Sequence, residues 1–270
     1  IQLVEEYGGM LMPNFGLSAE EAEAALIYIE MYVPQVEPLR PVDQVDQTED
    51  PIYTFILEAV TTLEASGRDI SDLTGLESGL NLEEIYLYTN NISDISALAG
   101  LSDLLGLDLD DNNISDISAL AGLSNLEWLY LGANNINDIS HLAELSNLGL
   151  LVLENNIISD ISTLVGLINL EILVLEDNNI SDISALADLS NLQGLYLYGN
   201  NISDISALAG LNNLNVLGLG NNNISDISAL VDNAGLADGD FVDLQGNPLS
   251  SESINVYIPQ LEARGGVVSY

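Results

Sequence analysis

Hydrophobic positions recur along most of the chain in one frame of 22 residues. Leucine or isoleucine alternates with other residues over L-x-x-[LI]-x-L, an asparagine follows, and a D-I-x-x-L-x-x stretch completes the unit; residues 126–145, LEWLYLGANNINDISHLAEL, show it clearly. Alternation with a period of two predicts a short strand, and the D-I-x-x-L spacing predicts one or two turns of 3₁₀ or α helix. Each unit therefore predicts a strand, a bend and a short helical segment.

The asparagine of this frame marks the bend. An amide side chain both donates and accepts, so stacked copies can satisfy backbone groups where the chain turns inward, and we predict a structural ladder. One unit cannot bury its leucines alone, so successive units must stack around a shared core. An imperfect unit at 60–81, with Arg68 in the asparagine position, and a final unit at 241–249 flank the regular series. The seven ladder positions are Asn90, Asn112, Asn134, Asn156, Asn178, Asn200 and Asn222.

The frame resembles the 22-residue leucine-rich repeat of bacterial internalin-like proteins over residues 60–247. The resemblance implies an α/β solenoid: a curved leucine-rich-repeat stack with a parallel concave β-sheet and short 3₁₀ or α segments on the convex side. It also implies a non-enzymatic protein-binding role and an extracytoplasmic, cell-surface or secreted location. We assign residues 52–249 to the solenoid with its N-terminal cap, and residues 250–270 to a C-terminal cap.

Both ends of the solenoid have predicted caps, because exposed end strands would otherwise template association. A helix is expected over 51–63, leading into the first strand. A closing helix is expected over 252–264, with Ser250 or Ser251 as N-cap and Gly265 ending it.

The predicted concave face is unusually apolar. Positions that flank the L-x-L leucines point to this side of the sheet, and they include the single tryptophan. Exposed apolar patches often mark interaction sites, and Tyr and Trp are enriched at binding hot spots. We therefore predict protein binding there, with coverage by the chain itself or self-association as alternatives. The predicted contacts are Tyr86, Tyr88, Trp128, Tyr130, Leu150, Val152, Ile172, Val174, Tyr196 and Tyr198; the acidic residues around them are Glu84, Asp108, Asp110, Glu154 and Glu176.

The segment before the repeats has a different composition. Residues 1–33 predict a helical arm, and residues 34–51 a proline-rich linker. Residues 8–30, GGMLMPNFGLSAEEAEAALIYIE, resemble the C-terminal part of class I c-type cytochromes, which implies a position for Met12 as an axial haem ligand. The chain has no C-x-x-C-H, so it cannot form a covalent haem c site alone. Haem c would need an attachment segment outside this chain, and the alternative is a helix packed on the solenoid or a neighbour.

Charge and composition restrict the function further. The chain has 42 Asp and Glu against 3 Lys and Arg, with no lysine and no cysteine. Nucleic-acid binding is not expected, because it requires positively charged side chains that neutralise phosphates. Membrane insertion is not expected either, because no apolar stretch is long enough to span a bilayer. No constellation supports catalysis; His141, which lies near Asp138 and Ser140, is interpreted as a surface substitution for alanine.

A second ladder consists of aspartates that precede the short helices. Helix capping accounts for their spacing, so calcium binding is the minor alternative, and we expect no resident cofactor in this chain alone. Their mutual repulsion predicts that added NaCl or Ca²⁺ stabilises the fold. The members are Asp72, Asp94, Asp116, Asp138, Asp160, Asp182, Asp204 and Asp226.

The leading hypothesis is a protein–protein interaction scaffold that uses the concave face of its repeats. The first alternative is the C-terminal portion of a cytochrome c and leucine-rich-repeat electron-transfer protein, with its haem-attachment part elsewhere. The second alternative is a structural subunit that assembles with identical copies.

Overall fold

Ten three-residue strands lie side by side in chain order, all parallel, in a computed structural model that describes residues 60–237 and 239–270. The predicted helical arm at 1–33, the linker at 34–51 and Met12 lie outside the described residues. The strands are β1 Thr62–Glu64, β2 Glu84–Tyr86, β3 Gly106–Asp108, β4 Trp128–Tyr130, β5 Leu150–Val152, β6 Ile172–Val174, β7 Gly194–Tyr196, β8 Val216–Gly218, β9 Phe241–Asp243 and β10 Val267–Ser269.

The register of the sheet reproduces the repeat. Each residue of β1–β7 pairs with the residue 22 positions further along, as Leu107 pairs with Leu129 and Leu129 with Leu151. The spacing from β8 to β9 is three residues longer. The middle residues of β2–β8 point into the core and are fully buried, and Leu63 of β1 is half-buried. Side chains alternate across a strand, so the first and third residues lie on the opposite side of the sheet. The α/β solenoid predicted from the frame is thus confirmed.

Short helical segments return the chain from the end of one strand to the start of the next. Most are single 3₁₀ turns whose leucine packs into the shared core, as Leu120 does. The last is the short helix α1, Ser228–Asp232. The 3₁₀ segments are Leu76–Ser78, Ser96–Leu98, Ser118–Leu120, Ser140–Leu142, Ser162–Gly166, Ser184–Leu186 and Ser206–Gly210.

An aspartate two residues before each regular segment holds its first turn. Asp116 Oδ1, for example, accepts the backbone N–H of Ser118 at 2.8 Å, an Asx-type turn. This hydrogen bond lowers the pKa of Asp116, while the neighbouring Asp138 opposes that shift. Each of these aspartates lies one residue before the N-cap and accepts the first backbone N–H of the helical segment. The carboxylates of adjacent units repel one another.

The ladder asparagines bind backbone groups of two successive units. Asn134 Oδ1 accepts the N–H of Ile114 at 2.9 Å, and its Nδ2 donates to Leu109 O at 3.0 Å and to Gly132 O at 2.9 Å. The residue before the asparagine adopts a left-handed conformation, as Ala133 does with φ 49°. Non-glycine residues rarely adopt this conformation, and here it turns the amide inward, where its hydrogen bonds hold the bend.

The C-terminal cap is helical, as expected, and adds an unexpected strand. Ser250 is the N-cap, since its Oγ accepts the N–H of Ser253 at 3.1 Å. A π-helical segment, Ser253–Tyr257, runs into helix α2, Ile258–Ala263, and Gly265 follows with φ 96°. The chain then forms β10 beside β9, which the repeat frame did not predict because the VVS segment lies outside it.

The predicted N-terminal capping helix at 51–63 is wrong at its C-terminal end. Thr62 and Leu63 already belong to β1, and Thr62 pairs with Glu84 of β2. The parallel ladder thus continues into the imperfect first unit, whose β-branched and apolar residues extend the sheet. The rest of that predicted helix, up to residue 59, lies outside the described residues.

Candidate protein-binding face

The side of the sheet opposite the core is lined by the residues that flank the inner leucines. We call it the outer sheet face: the first and third residues of β2–β8 together with the residue two positions after each of these strands. All ten predicted contact residues lie there by strand alternation. Ile172 is 39% exposed and Tyr88 44%, whereas Val152 is only 7% exposed because Tyr130 and Val174 pair with it on either side. Val152 therefore supports its neighbours and offers little contact surface.

Three aromatic rings form one cluster on this face. The rings of Tyr86 and Trp128 have centroids 5.4 Å apart and are tilted by 33°, and Tyr130 meets Trp128 edge-on at 5.9 Å. These are favourable geometries for aromatic pairs. The cluster spans three adjacent strands, because Tyr86 lies in β2 and the other two rings lie in β4.

A glycine in β3 makes this cluster possible. Gly106 pairs with Trp128 in the register, and a Cβ atom at Gly106 would stand 1.8 Å from Cζ2 of the indole. The indole therefore lies across the glycine backbone and reaches Tyr86 on the next strand. A side chain at position 106 would displace the ring.

A second aromatic pair lies further along the face, beyond the aliphatic residues of β5 and β6. Tyr198 packs over Gly220, where a Cβ atom would stand 2.8 Å from Cδ2 of the ring, and its hydroxyl is hydrogen-bonded to Asn221. The ring of Tyr196 lies against Gly194 in the same way. Glycines thus leave room for aromatic rings at both ends of the predicted contact set.

A shallow groove of about 1030 Å³ begins at the aromatic cluster and follows the edge at which the strands start. Besides predicted contacts, it is lined by residues that the sequence interpretation missed: Glu127, Asn147, Gly149, Asn169, Glu171 and Asn191. The asparagines hold the connecting segments together, as Asn147 Nδ2 donates to Ser124 O at 3.0 Å. They recur 22 residues apart in the S-N-L part of the frame, a periodic signal that could have identified this second amide ladder.

Carboxylates lie within and beside the aromatic cluster. Asp108 pairs in the register with Tyr86 on one side and Tyr130 on the other, and it is half-buried. Burial raises the pKa of Asp108, and Glu64 adds to this shift. Burial also raises the pKa of Asp110 to about 6, although the N–H of Gly132 donates to its carboxylate. These carboxylates are thus partly dehydrated and face other anions.

Further predicted acidic residues have the same character. Burial raises the pKa of Glu176, with repulsion from Glu154 contributing. Glu84 accepts a hydrogen bond from the hydroxyl of Tyr86 at 3.3 Å. The outer sheet face therefore combines apolar rings with negative charge along its length.

Among the hydrogen bonds of the described residues, none joins the His141 ring to Asp138 or Ser140. Asp138 accepts the backbone N–H of Ser140, the same turn as in the other repeats, and His141 Nδ1 is buried without a hydrogen-bond partner. Within the part of the chain that the structure describes, no group of three or more His, Cys, Asp or Glu residues is placed to hold a metal ion. No helix within residues 60–237 and 239–270 is long and apolar enough to cross a bilayer.

Comparisons with known proteins identify the family. The sequence family described as leucine-rich repeats (2 copies) matches residues 190–232. Internalin C2 of Listeria monocytogenes is 38% identical, with a TM-score of 0.65 over 67% of this chain and 80% of that chain. The chain belongs to the internalin family of leucine-rich-repeat proteins. A search of curated proteins gives no significant match.

More distant structures share the internalin-like fold alone. A leucine-rich-repeat protein of Leptospira interrogans is 20% identical, with a TM-score of 0.68 over 80% of this chain and 62% of that chain. The ectodomain of the Arabidopsis thaliana receptor kinase GASSHO1/SCHENGEN3, solved with CASPARIAN STRIP INTEGRITY FACTOR 2, is 21% identical, with a TM-score of 0.57 over 70% of this chain and 27% of that chain. The solenoid architecture therefore extends well beyond the internalins.

Proposed function

We propose that this chain is a non-enzymatic scaffold that binds a partner protein through its outer sheet face. One observation carries the proposal: the solvent side of the sheet holds a cluster of Tyr86, Trp128 and Tyr130 beside a groove of about 1030 Å³. A sheet face that only met water would gain nothing from these rings, since partly exposed apolar surface is unfavourable in water.

The rigidity of the repeats supports this function. Inner strand residues are fully buried, and the amides of the asparagine ladder hold each bend, so the rings stand on a fixed frame. Binding a partner would then cost little ordering of the scaffold, and aromatic side chains lose few rotamers when they are fixed. Gly106 and Gly220 let the rings of Trp128 and Tyr198 lie close against the sheet.

We further propose a cell-surface or secreted location and no resident cofactor in this chain. Membership of the internalin family and the strongly acidic composition support the location. The aspartate ladder binds backbone N–H groups, which supports a capping role instead of calcium coordination. The haem-bearing alternative depends on Met12 and on sequence outside this chain, and no observation on the described residues favours it.

Affinity capture from the native environment tests the proposal. Wild-type chain is compared with the double variant Trp128→Ala/Tyr130→Ala and with a control, Ile157→Ala/Val165→Ala. The two control positions are each 54% exposed and lie outside the outer sheet face. Loss of a specific partner in the first variant alone supports the function. Equal recovery of every partner by all three proteins would contradict it.

Self-association is a distinct outcome of the same variants. If the wild-type chain forms concentration-dependent oligomers in light scattering and Trp128→Ala/Tyr130→Ala is monomeric, the outer sheet face joins identical copies. A strictly monomeric wild-type chain would remove the structural-subunit alternative.

A further inference from the structure

The aromatic cluster encloses a carboxylate that has no cation beside it. Asp108 lies in β3 between Tyr86 and Tyr130 in the register, and the Trp128 indole covers the adjacent Gly106. The side chain of Asp108 accepts only a backbone N–H, that of Asp110, at 3.1 Å among the hydrogen bonds of the described residues. A half-buried carboxylate among rings is costly unless a cation or further donors reach it.

The chain cannot supply that cation from the described residues. The only Lys or Arg residues among them are Arg68, exposed after β1, and Arg264, whose guanidinium donates to Asn233 O in the C-terminal cap. Glu64, Glu84 and Asp110 are the charged neighbours that act on this region, and all three are anionic. With 42 acidic and 3 basic residues in the chain, charge complementarity points to a basic partner.

Arginine fits this place better than lysine. The planar guanidinium stacks on an aromatic face and donates two parallel hydrogen bonds to one carboxylate, whereas the lysine ammonium is a strongly hydrated point charge. The groove is open along the sheet and Glu127 and Glu171 line it, so the chain on either side of the arginine could follow the groove past further carboxylates.

We propose that Tyr86, Trp128 and Tyr130, with Asp108, form the seat for an arginine side chain in a basic segment of the partner protein. The guanidinium lies against the indole and donates to the Asp108 carboxylate. This inference rests on the proposed function and adds the chemistry of the partner at the centre of the contact.

Trp128 itself reports the interaction, because it is the only tryptophan of the chain. The full chain is titrated with a short peptide of glycines and serines whose only charged group is one arginine, at physiological ionic strength, while indole emission is followed. The same peptides with lysine and with citrulline are the ligand controls. Asp108→Asn is the test variant, and Asp188→Asn, at an exposed position outside the outer sheet face, removes one charge as the matched control.

The arginine peptide is expected to change the emission saturably, with the lysine peptide weaker and the citrulline peptide about tenfold weaker or more. Asp108→Asn should weaken arginine binding about tenfold, as expected for loss of one well-placed charged contact, and Asp188→Asn less than twofold. Tyr86→Leu should also weaken arginine binding, although it leaves the carboxylates of Asp108 and Asp188 in place. This variant tests the proposal if Asp108→Asn does not fold.

Equal weakening by Asp108→Asn and Asp188→Asn would overturn the inference, because it would show general charge attraction. Absence of a saturable emission change, or equal binding of citrulline, would overturn it too. If the partner still requires Trp128 and Tyr130 but tolerates Asp108→Asn, the arginine seat is wrong while the proposed function stands.

Discussion

Replacement of one ladder asparagine by alanine should destabilise the protein strongly. Asn134 is 8% exposed, and its Oδ1 accepts the N–H of Ile114 at 2.9 Å. Its Nδ2 donates to the carbonyl oxygens of Leu109, Gly132 and Leu131, at 3.0, 2.9 and 3.3 Å. Alanine at this position removes all four bonds at once.

The four lost bonds do not cost the same. Each of the three carbonyl oxygens keeps a second donor. The N–H of Ile114 has no other acceptor among the hydrogen bonds of the described residues, and Ile114 is fully buried. An orphaned buried donor costs about 1–3 kcal/mol and a weakened hydrogen bond less. The expected loss in the free energy of unfolding is therefore about 2–4 kcal/mol.

Urea unfolding followed by far-UV circular dichroism measures this loss. The matched control is Asn135→Ala, which changes the next residue of the same type at an exposed position, and it should alter stability by less than about 0.5 kcal/mol. Equal stability of the two variants would refute the role assigned to the amide, because composition and chain position are nearly identical in both.

Three further predictions concern the outer sheet face and the surface charge. Gly106→Ala should displace the Trp128 ring, which shifts the tryptophan emission and lowers the free energy of unfolding by about 1–3 kcal/mol. The control Gly122→Ala, whose Cβ would point into open space, should change neither property. Unchanged emission in Gly106→Ala would contradict the close packing of the ring against the glycine. The pKa of Asp110 in the folded protein is raised from 3.8 to about 6, so protonation of Asp110 stabilises the fold below pH 3.8 and this stabilisation is lost as the pH rises to about 6. Asp110→Asn should therefore reduce the dependence of the melting temperature on pH between about 3.8 and 6. An identical pH dependence in the wild-type protein and the variant would oppose this reasoning. Thermal stability should rise with added NaCl because the aspartate ladder repels itself, and melts that do not change between low and high salt would reject this.

The frame predicted the repeated elements because every unit obeys the same alternation. Leu107, Leu129 and Leu151 occupy equivalent inner positions, so one correct unit determines the strands and short helices of its neighbours. Prediction failed at both ends, where the frame stops. The helix expected over 51–63 is wrong at Thr62 and Leu63, which belong to a strand that pairs with β2. At the other end, Val267–Ser269 pairs with β9 without any repeat signal.

The contents of the outer sheet face were predictable, but not its shape. Alternation placed Trp128 and Val152 on the same side, yet only the structure shows that the indole occupies the space beside Gly106 and that Val152 is covered. The groove is also lined by Asn147 and Asn169, whose 22-residue period the sequence interpretation did not use. Side-chain direction and the approach of connecting segments to the sheet edge are three-dimensional properties that no single unit encodes.

Hydroxyl-radical footprinting of the chain with a captured partner tests the central claim most directly. The account predicts that oxidation of Tyr86, Trp128 and Tyr130 falls when the partner binds, while oxidation of Tyr270, which is 58% exposed after the last strand, is unchanged. A bound partner that leaves the three cluster residues fully reactive would contradict binding through the outer sheet face.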